Sequence, residues 1–297
     1  MLQIPENYTE FLYWVKETTE AYWSKDPQSR EYSCEEWAQD AKWIPLKDEE
    51  IDAVEKKYGV QFMPEHREFL KILHTLDRRQ VVTHEPDEEG DEPTSQTFAF
   101  FYNWLKDEEE IKSRLEWPYE TILQDMLGPN GTWLESWGKR PVADEEKAHI
   151  LRDWLSKAPR LVPLTSHRFL VSEPHLTDRP VLSVYGSDII VYGWDMRVYL
   201  LNELQEELEL TEAVYDEEFE FFFPEACKEL ADINKAVYEN APGKDIPYWK
   251  EMILFWSSGW GSFGMRSPND TDERIQPITK TYLPEGNEDN QKQFPNF

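Results

Sequence analysis

The chain has 297 residues, 60 of them acidic and 31 basic, for a formal net charge of −29. Such a surface repels the phosphate backbone and anionic lipid alike, which disfavours nucleic-acid and membrane roles and makes a basic protein the electrostatic complement. Hydrophobic residues make up 39% of the chain and it contains 13 Trp, enough for a buried core and too much for a chain disordered throughout.

In chain order, Asn7 followed three residues later by Glu10 is a capping-box start for a first helix, with Phe11, Leu12, Val15, Thr19 and Tyr22 on one face. A polar connection over residues 24–40 follows. A second helix is expected from Asp48 to Tyr58, stopped by Gly59, and a third opens at Pro64 with Phe69, Ile72, Leu73 and Leu76 inward. Residues 85–92 read EPDEEGDE, six acids without an apolar side chain, and form a solvated loop. Thr97 to Leu105 is strand-like. A short helix should then end before Trp117-Pro118, with another over Tyr119 to Leu127. An amphipathic helix is expected from Asp144 to Lys157 through Ile150, Leu151, Trp154 and Leu155.

From Leu161 onward the chain reads as short strands punctuated by Pro174, Pro180, Gly186 and Gly193, and then gives way to a helix over Met196 to Leu208. Between Val198 and Cys227 there is no Lys or Arg, against ten Asp and Glu. Two further helices are expected over roughly 224–239 and 246–257, before a polar, proline-containing tail after Met265. Cys34 and Cys227 are the only cysteines and form no disulfide framework or metal motif. The start, MLQIPENYTEF, has neither a basic nor an apolar signal region, and no apolar run reaches membrane-spanning length, so a cytoplasmic protein is expected.

Little of this carries catalytic chemistry. Gly259-Trp-Gly-Ser-Phe-Gly264 spells GxGxxG, but phosphate binding needs a preceding strand and a following helix, and here a helix precedes. His167 and Asp188 could form a base and its orienting carboxylate, yet Ser183 and Ser187 lack a nucleophile-elbow context. A small-molecule or nucleotide hydrolase built on His167, Asp188 or the Gly259–Gly264 loop is therefore the alternative reading. The leading expectation is a protein with no catalytic residue, cofactor or metal, which binds a protein partner through acidic surface. The candidate contacts are Asp87, Glu88, Glu89, Asp91 and Glu92 in the acidic loop, with Glu206, Glu207, Asp216 and Glu217 further on.

The segment WIPLKDEEIDAVEKKYGVQFMPEHREFLKIL, Trp43 to Leu73, resembles the opening of the SUKH superfamily, which includes fungal cell-wall-assembly regulators and bacterial immunity proteins. A second block is similar to one branch of that family. Its pieces are FYNWL (101–105), RLEWP (114–118), ESWGKRP (135–141), APRLVPLTSHRFL (158–170) and PVLSVYGSDIIVYG (180–193). The resemblance implies an α+β fold, a twisted, mostly antiparallel sheet with packed helices. It implies a SUKH-like domain over 43–208, between an N-terminal helical extension (1–42) and an acidic helical C-terminal extension with a polar tail (209–297). It also implies protein binding without catalysis, either capture of a basic toxin or nuclease domain or action as a regulatory scaffold.

Overall fold

The computed structural model describes residues 4–26, 36–84, 94–219, 221–266 and 276–277. In chain order the elements are α1 (Tyr8–Trp23), β1 (Trp43–Ile44), α2 (Asp48–Tyr58), α3 (Pro64–Ile72), β2 (Thr75–Leu76), β3 (Gln80–His84), β4 (Thr94–Phe98), α4 (Glu108–Leu127), α5 (Asp144–Lys157), β5 (Arg160–Thr165), β6 (Arg168–Ser172), β7 (Val181–Tyr185), β8 (Asp188–Gly193), α6 (Met196–Glu203), β9 (Thr211–Asp216), β10 (Phe221–Ala226), α7 (Lys228–Asn240), α8 (Trp249–Phe255) and α9 (Ser257–Trp260). The fold is α+β. Its strands form one four-stranded sheet, ordered β5-β6-β7-β8, and two-stranded ribbons that include β3-β4 and β9-β10.

The chain divides into two compact units, and residues 43–208 contribute to both. The first comprises Met1–Lys112, Pro163–Ser166 and Asp195–Asn234; the second comprises Ser113–Val162, His167–Trp194 and Lys235–Phe297.

The first unit is built around Trp43. Its ring lies 5.8 Å from Trp23, 6.4 Å from Phe69 and 5.3 Å from Phe101, in tilted or edge-on contacts that suit the ring quadrupoles. Its indole N–H donates to Thr19 Oγ1 at 2.9 Å, so the one polar atom of a buried ring is satisfied. Local signals set the surrounding helices. The Asn7 side chain accepts from the Glu10 amide at 3.1 Å, Pro64 occupies the first turn of α3, and Gly59 ends α2 at φ 60°.

The second unit packs the four-stranded sheet and helices α5 and α8 into one apolar core containing Trp154, Phe169, Val184, Ile189, Trp249 and Trp260. β6-β7 and β7-β8 pair antiparallel, the latter with a bulge at Val181/Leu182.

Four expectations change. Residues 117–118 do not divide two helices: α4 runs through Pro118 as one 20-residue helix. The lost backbone donor is outweighed by burial of Ile122 and Met126, and by the Trp117 indole donating to the Val184 carbonyl at 2.9 Å. The strand expected over Thr97 to Leu105 is displaced to β4, and residues 100–104 are irregular, with Phe101, Tyr102 and Trp104 buried. Their backbone groups find other partners: the Phe101 carbonyl accepts from Thr75 Oγ1 at 2.7 Å, and the Tyr102 amide donates to the Leu164 carbonyl at 3.1 Å. The helix expected through Leu208 closes at Glu203, though Leu204, Leu208 and Leu210 stay fully buried in the turns that follow. The helix expected from residue 224 begins instead at Lys228, because Phe221–Ala226 form β10, paired with β9 over Thr211–Asp216.

Candidate functional site: an acidic, aromatic hairpin

β9 and β10 pair antiparallel over six residues each, Thr211 opposite Ala226 through Asp216 opposite Phe221, a ribbon about 20 Å long. Its base is anchored in the first unit. The Cys227 amide donates to the Leu210 carbonyl at 2.7 Å, and Leu210, Thr211, Cys227 and Leu230 are buried. Beyond the base both strands are exposed. A two-stranded hairpin has little stability of its own, so this anchoring holds it in place.

The exposed side chains are the wrong kind for a solvated turn. Phe219, Phe221 and Phe222 are 67%, 61% and 58% exposed, and Val214, Tyr215 and Phe223 are also open to solvent. Side chains alternate between the faces of a strand, so Tyr215 and the directly opposed Phe222, 5.0 Å apart, share one face. Val214, Phe221 and Phe223 share the other, with 5.2 Å between the two Phe rings. Phe219 lies 6.0 Å from Phe223. Both faces of the ribbon therefore expose aromatics, and the Phe221–Phe223 face also carries the opposed Glu212 and Glu225. Exposed Glu212, Glu217 and Glu225 lie along the same strands and turn and make no ion pair among the described residues.

No family model, curated protein or solved structure matches this chain.

Of the acidic candidates, Asp216 ends β9 and Glu217 opens the turn, so both belong to the hairpin tip beside the aromatics. Glu206 and Glu207 are half-buried in the turns between α6 and β9, at the base rather than the tip. Asp87, Glu88, Glu89, Asp91 and Glu92 lie outside the described residues. The sequence does not single out the aromatic residues of the tip as site residues, because aromatics at this density read as core. The signal was local: Val214, Tyr215 and the run Phe221-Phe222-Phe223 flank a short acidic break, which is a hairpin pattern.

The catalytic alternatives are placed differently. His167 packs edge-on to Tyr185, ring centres 6.3 Å apart. Burial, then the neighbouring Arg168 and Arg114, lower its pKa to about 4, so it is neutral at neutral pH. Asp188 is exposed and accepts from the Ser258 hydroxyl. In the Gly259–Gly264 loop, Trp260, Ser262 and Phe263 are buried, and Ser262 Oγ accepts from the Val191 amide at 2.9 Å. Two loop amides are already engaged, Gly259 with the Trp256 carbonyl and Gly264 with the Gly261 carbonyl. Among the described residues no group of three or more His, Cys, Asp and Glu could hold a metal ion, and no helix is long and apolar enough to cross a membrane.

Proposed function

We propose that this chain is a non-enzymatic, SUKH-like protein-binding module of the cytoplasm, and that it captures a basic protein partner through the β9-β10 hairpin. The reading is carried by one observation: an anchored ribbon that exposes aromatics on both faces within a stretch lacking Lys and Arg. Exposed Phe and Tyr of this density mark interaction surfaces, and aromatics supply most of the energy where they are buried by a partner. The acids add orientation and rate: the net charge of −29 steers a cationic partner toward the chain, and this effect weakens as salt rises. A ribbon with aromatics exposed on both sides, and acids beside them on one, is not satisfied by a flat surface, so the partner offers a cleft with cationic groups. A toxin or nuclease domain with a basic substrate face fits this description, as does a basic client of a regulatory scaffold.

The test compares capture from host lysate by the wild-type chain and by a Phe221→Ser/Phe223→Ser variant, at low and high salt, with each captured protein purified and rebound. Because both residues are exposed, the variant should keep the wild-type circular dichroism and melting temperature. The expected partner is basic, is released as salt rises and is lost by the variant. A Phe222→Ser variant should also weaken binding, since a cleft would enclose both faces. Capture indifferent to both the hairpin variants and salt would overturn the proposal. Inhibition of a captured nuclease by the chain would favour the immunity role over the scaffold.

A further inference from the structure

The two-residue turn between β7 and β8, Gly186-Ser187, overhangs a cavity of about 390 Å³ in the second unit. Trp117, Tyr185 and Trp256 form its walls, with Asp125, Gln124 and Asp188 among its polar lining. Volumes of this size are those of small-ligand sites. The Asp125 carboxylate braces the turn: Oδ2 accepts from the Ser187 amide and hydroxyl, each at 2.7 Å, and Oδ1 accepts from Asn130 Nδ2 at 3.0 Å. Gly186 sits at φ 63°, and a Cβ there would lie 2.2 Å from Asp125 Oδ2, so conformation and contact both require glycine.

The two tryptophan walls are held by their own polar atoms. The Trp256 indole donates to Ser187 Oγ at 2.8 Å, and the Trp117 indole donates to the Val184 carbonyl. Tyr185 packs against Trp117 with ring centres 6.3 Å apart. The Ser187 hydroxyl is also within 2.8 Å of Thr132 Oγ1. Of the polar lining, the Trp117, Trp256, Ser187, Ser258 and Asn130 donors are thus engaged, and the Gln124 amide and the two carboxylates remain to meet a ligand.

Charge and aromatic faces remain. Asp125 is bonded only to the uncharged Ser187 and Asn130, Asp188 is bonded to the Ser258 hydroxyl, and neither makes an ion pair among the described residues. Among the described residues no Lys or Arg lines the cavity. Arg114, outside the lining, stacks 4.4 Å from the Trp117 ring centre and shows that this indole accepts a guanidinium. Two carboxylates without an ion-pair partner, beside two anchored indoles and the Tyr185 ring, are the recognition elements of an organic cation. We infer that the cavity binds a guanidinium or ammonium group on an apolar stem, such as an arginine side chain. The inference stands on the cavity alone, independently of what the hairpin docks.

The test uses N-acetyl-arginine methylamide as the probe and the full-length, ¹⁵N-labelled chain. The Trp117 and Trp256 indole N–H resonances, assigned from Trp→Phe variants, report binding. The neutral isostere N-acetyl-citrulline methylamide is the control. The arginine probe should move both resonances saturably and more weakly as salt rises, while the citrulline probe leaves them in place. Asp188→Asn removes an exposed charge yet keeps an acceptor for Ser258, and should weaken the arginine probe about threefold or more, the scale of one exposed ion pair. Tyr185→Leu, at a largely exposed ring, should weaken it as well. Equal response to both probes, no saturable movement, or an Asp188→Asn variant that binds as tightly as wild type would each overturn the inference.

Discussion

Replacing Gly259 with alanine should unfold the second unit or cost it well over 3 kcal/mol, beyond the usual range for an overpacked site. Gly259 is buried, and a Cβ built on it would stand 1.6 Å from the Ile253 carbonyl oxygen and 3.0 Å from that of Ile189. Neither obstacle is a side chain that can turn aside. One belongs to the backbone of α8 and the other to the backbone of β8, so relief means moving a helix from the sheet that carries the core. Gly261, two residues on, is the control. It has helical backbone angles, φ −58° and ψ −30°, and nothing lies within 4 Å of an added Cβ. Gly261→Ala should be neutral or stabilising by about 0.5 kcal/mol, through a less flexible unfolded chain. Urea denaturation of the two variants settles the comparison. A tolerated Gly259→Ala would contradict the packing described for this loop. A phosphate-binding loop would make a different demand, with both glycines needed for activity.

The contrast between these glycines shows what spelling conveys and what it does not. Gly259 and Gly261 are the first two glycines of one motif, and only the fold separates a backbone collision from open space. Where a signal is local, the sequence is a good guide: α2, α3 and α5 begin where Asp48, Pro64 and Asp144 indicate, and Gly59 closes α2. These boundaries depend on caps, a fixed proline φ and a single apolar stripe. Pro118 misleads because tertiary burial of α4 outweighs a backbone penalty that is all the sequence displays. Residues 100–104 mislead because their aromatic content matches a strand, while their carbonyls and amides bond to a threonine, a histidine and a neighbouring carbonyl. For the candidate site, charge indicated Asp216 and Glu217, but exposure of Phe219 and Phe221 to Phe223 depends on the absence of anything packed against the ribbon. The pocket under Gly186 brings α4, the β7-β8 turn and the chain at Trp256 together across more than a hundred residues, a juxtaposition with no local trace.

A second large effect is expected on acidification, and it is set by two histidines of the first unit. His74 lies at φ 58°; its Nε2 accepts from the Trp104 amide at 3.0 Å, and its Nδ1 is 3.1 Å from the Ile44 carbonyl. An amide can only donate and a carbonyl can only accept, so the ring is neutral with its proton on Nδ1. Burial lowers its pKa to about 4, and the same cause, reinforced by His74, lowers that of His66 to about 3. His66 sits 4.6 Å from the Phe62 ring with neither nitrogen hydrogen-bonded. Both folded pKa values lie below the usual 6.5, so between pH 6.5 and about 4 the unfolded chain binds protons that the folded chain refuses. Stability from these groups is therefore complete above pH 6.5 and lost as pH falls toward the folded values, by several kcal/mol in all. An opposing effect is present: protonating some of the 60 carboxylates relieves the repulsion of a −29 chain. The difference between variants separates the two. His66→Leu sacrifices no hydrogen bond, so at pH 7.5 it should change stability by less than about 1 kcal/mol. At pH 5 it should be more stable than wild type by about 2 kcal/mol, because one proton-binding site is gone from the unfolded chain. His74→Ala leaves the buried Trp104 amide unpaired and should cost about 2–3 kcal/mol at pH 7.5. Urea denaturation of the three proteins at pH 7.5, 6 and 5 measures this directly. If wild type and His66→Leu lose stability in parallel over that range, His66 is not held neutral by burial.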